Sequence, residues 1–193
     1  MSLAEEFAKH GMPKPRPTFN QRPELLLCAN TVKPMHGVVP RLILGQAWWD
    51  ETRKAAYAST GNRCAACGVF RIMARDRQWL EGHEVYQTDY VAGRQVYIET
   101  VPLCHFCHNF IHNSRLRMLV QTGEIQKVKF DAIMVHGKTV LKAAGMRKRR
   151  PKPVKNIASW GDWRLVLFGK EYPPKYKNYT EWLWAFGCKP DDE

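Results

Sequence analysis

Four of the six cysteines in this 193-residue chain fall in two Cys-x-x-Cys pairs. Cys64 and Cys67 stand in Arg-Cys-Ala-Ala-Cys-Gly, and Cys104 and Cys107 in Leu-Cys-His-Phe-Cys-His. Each such turn offers two thiolates from one tight loop, and two turns can wrap one tetrahedral Zn²⁺ at about 2.3 Å per sulfur. Four sulfurs leave no open coordination position, so zinc there is expected to be structural, clamping the start of a hairpin to the start of a helix. Cys28 and Cys188 stand alone and read as ordinary small residues.

The histidines around the second pair suggest a different chemistry. His108 and His112 are spaced i, i+4 on a predicted helix, so they share a face and can meet one metal ion. The plainer alternative has His108 packed beside the zinc and His112 on the surface. His83 lies between the two pairs, in Leu-Glu-Gly-His-Glu-Val. His105, inside the second knuckle, is expected to face solvent. A zinc-pinned frame that gathers histidines suggests a second metal and hydrolysis of a phosphodiester.

The elements that must position these residues follow from periodicity and turn signals. A helix is expected from about residue 44 or 46 to 59, with Trp48, Trp49, Ala55 and Ala56 on its apolar side, ending at Gly61. Residues 79–86 and 94–101 read as two strands joined through 89–93, with Val96 and Ile98 alternating with Gln95 and Tyr97. Pro102 ends the second. Helices are expected over 105–119, stopped by Thr122-Gly123, and over 130–144, capped by Gly145. The chain divides into a flexible Pro-rich arm (1–22), an N-terminal helical segment (23–60), a zinc-bound core (61–122), a helical segment (123–146), a basic linker (147–156) and an aromatic C-terminal segment (157–193). The fold class is α+β.

Lys and Arg outnumber Asp and Glu by 30 to 18, for a net charge of +12. That excess favours a polyanionic partner, nucleic acid first. Arg147, Lys148, Arg149, Arg150 and Lys152 form its densest cluster, suited to phosphate contacts or to a solvated linker, and Arg115 and Arg117 fall near the proposed site. The C-terminal aromatics can form a packing flap or stack on unpaired bases. No apolar run reaches the ~20 residues needed to cross a bilayer, so no membrane partner is expected. The opening residues lack the pattern of a signal peptide, and paired cysteines without one point to a reducing, cytoplasmic setting.

Cys64-x-x-Cys67-Gly68, Leu80-Glu81-Gly82-His83-Glu84-Val85 and Leu103-Cys104-x-x-Cys107-His108-x-x-Ile111-His112 together resemble the HNH endonucleases, members of the His-Me finger (ββα-metal) nucleases. The match covers about a quarter of the chain, in the family's order. The resemblance implies a ββα-metal core that holds one divalent ion, Mg²⁺ or Mn²⁺, and cuts nucleic acid, DNA foremost. It makes His108 and His112 the helix ligands and His83 the strand histidine that activates water. Two departures stand out. The family often carries adjacent ligand and base on the strand. Here His83 is the base without a neighbouring ligand, which is the favoured reading, or it is the ligand with Glu84 at the base position. The middle Asn of the name is absent before the second knuckle. A non-catalytic zinc module that binds nucleic acid or a protein is the competing expectation.

Overall fold

The computed structural model describes residues 20–147 and 153–186, so Lys148, Arg149, Arg150, Lys152 and Cys188 lie outside the described residues. The fold is mixed α+β and shows, among the described residues, a four-stranded sheet and five helices: α1 (Pro40–Ser59), β1 (Leu80–Asp89), β2 (Arg94–Cys104), α2 (His105–Ile111), α3 (Asn113–Gln121), α4 (Lys127–Ala143), β3 (Arg164–Leu167), β4 (Lys170–Tyr172) and α5 (Tyr179–Ala185). Short 3-10 turns at Pro23–Leu27 and Lys33–Met35 precede α1. Among the described residues no helix is long and apolar enough to cross a membrane.

β1 and β2 form an antiparallel hairpin that runs without a loop into α2. Its register breaks where Val85 faces Glu99 but Tyr86 faces Tyr97, leaving Ile98 as the extra residue of a bulge. The bulge inverts the side-chain phase expected for β2. Gln95 is buried, whereas Ile98, expected to alternate with it as an inward residue, is 51% exposed. The C-terminal segment does more than wrap the hairpin. β3 pairs in parallel with β2 and antiparallel with β4, giving the sheet order β1-β2-β3-β4.

The single helix expected over 105–119 is two. The chain leaves helical geometry at His112 (φ −83°, ψ 35°), where the Asn113 side chain donates to Phe110 O at 3.0 Å. A short amide side chain that takes a backbone carbonyl competes with the helical ladder at that point. α4 ends as expected: the Gly145 and Met146 amides donate to Lys142 O and Leu141 O, closing the last turn.

The main core gathers Leu25 and Leu26, the cysteine knuckles, Leu80, Val101 and Leu103 of the hairpin, Phe110 and Ile111 of α2, Leu116 of α3, and Ile133 and Leu141 of α4. α4 approaches α2 closely through Gly137, where an added Cβ would sit 2.2 Å from the Phe110 ring. A second, smaller cluster joins Met35 and Val38 to Trp163 and Leu165. On the other face of the hairpin α1 lays down Trp49, while Ala55, expected on its apolar side, is exposed.

Candidate metal centres

The sulfurs of Cys64, Cys67, Cys104 and Cys107 lie within 4.8 Å of one another. Cys67 and Cys104 are 3.8 Å apart, the edge of a tetrahedron whose corners stand about 2.3 Å from a central ion. The first knuckle turns through Gly68 at φ +73°, with the Gly68 amide donating to Cys64 O at 2.9 Å. A residue with a Cβ resists that left-handed conformation. In the second knuckle Cys104 is also the N-cap of α2, its sulfur accepting from the Cys107 amide at 3.5 Å. Hydrogen bonding within the group splits the four thiols: the bond from Cys104 is the main influence lowering Cys64 and Cys67, and the same bonding raises Cys107. The four sulfurs can therefore hold a structural metal such as zinc, and all but Cys67 are fully buried. His136, on α4, reaches this group, with Nε2 3.3 Å from Cys107 Sγ. Nothing in the local sequence pattern signals that contact, which joins residues 29 positions apart.

The second group is His83, His108 and His112, whose ring nitrogens also lie within 4.8 Å of one another. β1 supplies His83 and α2 supplies His108, while His112 stands at the α2–α3 break. His112 Nε2 is 3.3 Å from His83 Nδ1, and the ring centroids of the trio are 4.7–5.3 Å apart. Burial above all, then the neighbouring histidines, pushes the His83 imidazole down to about 3. The same cause, with His108 and Arg115, brings His112 to about 4. Both rings are therefore neutral, with lone pairs available, through the physiological range.

Glu81 fixes one member of the trio, His108, a role that its place in the motif does not announce. Its carboxylate accepts from His108 Nδ1 at 2.5 Å and from His105 Nδ1 at 2.8 Å. Burial opposes its ionisation, but the hydrogen bonds from His105 and His108 outweigh burial and hold it well below the usual carboxylate range. With Nδ1–H committed to Glu81, the free lone pair of His108 is on Nε2, the tautomer a metal ligand needs. The signal was present in the sequence, since Glu81 and His83 are i, i+2 on a strand and share a face. His105 is buried, contrary to its expected exposure, because its ring is enclosed by Glu81 and by Asp76, which lies 3.3 Å from its Nε2.

Glu84 belongs to neither group. One residue beyond His83, its side chain leaves the opposite face of the strand. There burial raises its carboxyl, against a bond to its own backbone and the charge of Arg41. Arg115 lines a cleft that also includes His112. Arg117, two residues on and so on the opposite side of α3, is exposed and does not line it. Arg147, beyond the end of α4, borders a separate hollow with Leu27, Lys142 and Met146.

As donors, three imidazoles suit a transition-metal ion better than Mg²⁺, which prefers oxygen ligands. Comparison of the chain with protein-family models, curated proteins and solved structures found no match.

Proposed function

We propose that the protein is a metal-dependent endonuclease of the HNH type that hydrolyses phosphodiester bonds in nucleic acid, DNA foremost, on a zinc-stabilised hairpin-and-helix frame. The observation that carries this reading is the convergence of His83, His108 and His112 beside a cleft bordered by Arg115. The motif order, with the second knuckle running directly into His108, and the net charge of +12 add to it.

His108 and His112 would hold the divalent ion, with Glu81 fixing the His108 ring. Bound there, that ion would supply Lewis-acid stabilisation of the negative charge that develops on the phosphate and the leaving oxygen. His83, which faces His108 and His112 from β1, accepts a proton from the attacking water. Arg115 meets a neighbouring phosphate and adds affinity that carries no sequence information. The cysteine cluster takes no part in the chemistry. It fixes where β2 ends and α2 begins, and so where His108 stands relative to His83.

Supercoiled plasmid incubated with purified protein and Mn²⁺ or Mg²⁺ tests this reading. Nicked circles should accumulate with wild type and not with His108→Ala. Intact supercoiled substrate under every metal, with zinc still bound, would leave the zinc-module reading in its place.

A further inference from the structure

The cleft beside His112 has a volume of about 330 Å³ and is lined by Thr31, His36, Val39, His112, Arg115 and Phe186, among others. It joins the histidine group to the C-terminal aromatic segment. Phe186 is 51% exposed, and its ring packs on Trp182 and His36 with centroids 5.0 and 5.6 Å away. His36 is itself fixed. Its Nε2 donates to Thr31 O at 3.2 Å, and its Nδ1 accepts from the Trp182 indole N–H at 3.2 Å. Lys33 lies over the Tyr179 and Trp182 rings, which stack at 5.6 Å. Phe186 is therefore a pre-oriented apolar ring lining a cleft that is also lined by a guanidinium and by a histidine of the proposed site.

We infer that this cleft receives one unpaired nucleotide, with its base against Phe186 and its phosphate toward Arg115 and His112, so that the substrate is a single-stranded segment, such as a flap or an open end. The inference rests on the nuclease reading of the histidine group. The volume falls at the small end of ligand pockets, about 300–1,000 Å³. A base kept in a duplex stack cannot enter such a space, whereas an unstacked one presents a π-face that any aromatic ring can cover. A neutral or apolar ligand would gain nothing from Arg115 or from the net charge of +12.

Fluorescence anisotropy with a labelled single-stranded 15-mer and its blunt duplex, without added Mg²⁺ or Mn²⁺, tests this. Phe186→Ala should weaken single-strand binding about 5- to 150-fold, from the usual worth of one base–aromatic stack. Duplex affinity should change less than about twofold, because that binding is set by charge. Phe186→Tyr should restore single-strand binding. Equal losses on both substrates, or none on either, would overturn the inference. The two readings fail separately. Phe186-dependent single-strand binding without any cleavage sinks the nuclease alone, and metal-dependent cleavage with Phe186→Ala binding like wild type sinks the cleft assignment alone.

Discussion

Replacing Glu81 with Gln keeps the shape of the side chain and removes its charge, which makes it a sharp probe of how the histidine trio is held. Glu81 accepts one hydrogen bond from His105 and one from His108. A glutamine offers a single acceptor oxygen, and its amide nitrogen, a donor, would face one of the two ring N–H groups. Either His108 loses its partner or His105 does, and the His108 ring is then free to turn its protonated nitrogen toward the ion site. Second-sphere partners of this kind are typically worth 10- to 100-fold in metal affinity, about 1.4–2.7 kcal/mol. The assay is isothermal titration of Mn²⁺ into protein whose cysteine site is already filled with zinc. Glu99→Gln is the control, because Glu99 pairs with Arg22 away from the histidines. Glu81→Gln should bind Mn²⁺ at least tenfold more weakly while Glu99→Gln binds like wild type. A Kd within twofold of wild type for Glu81→Gln would refute the orienting role.

Three further outcomes follow from the same geometry. Gly137→Ala should lower stability by about 1–3 kcal/mol, or roughly 2–12 °C in Tm, since its Cβ would meet the Phe110 ring at 2.2 Å; an unchanged melting curve would contradict the close α2–α4 packing. His83, held at about 3 against an ordinary value of 6.5, binds fewer protons folded than unfolded between those pH values. Its contribution is complete above pH 6.5 and shrinks as pH falls, so between pH 7 and 4.5 metal-free wild type should lose about 2–3 kcal/mol more than His83→Leu in urea titrations, and parallel losses would count against it. Plasmid nicking should be faster with Mn²⁺ than with Mg²⁺ at equal concentration, as an all-imidazole donor set requires, and a preference for Mg²⁺ would point to oxygen ligands instead.

The cysteine spacing was the clearest signal in the sequence, because two short knuckles constrain geometry whatever lies between them. The i, i+4 relation of His108 and His112 was equally local. It survived the break at His112, because that break comes after the turn that sets their spacing. What the sequence concealed was long-range or came from irregular backbone. The bulge at Ile98 reversed the alternation read into β2, and no residue there announces it. β3 and β4 are too short to read as strands without their partner, since β3 exists by pairing with Arg94–Val96 more than 60 positions earlier. His105 was assigned to solvent because the knuckle hides nothing by itself; Asp76 and Glu81 arrive from elsewhere to enclose it. Glu81 is legible by strand alternation with His83, but its bond to His108 joins residues 27 positions apart.

The most direct test of the central claim is the single-turnover rate of plasmid nicking by wild type and by His83→Ala, with zinc measured at one per chain in both. A positioned general base is typically worth about 10²- to 10⁴-fold. The account predicts a loss in that range with the zinc content and fold unchanged. Equal rates for the two proteins would contradict it.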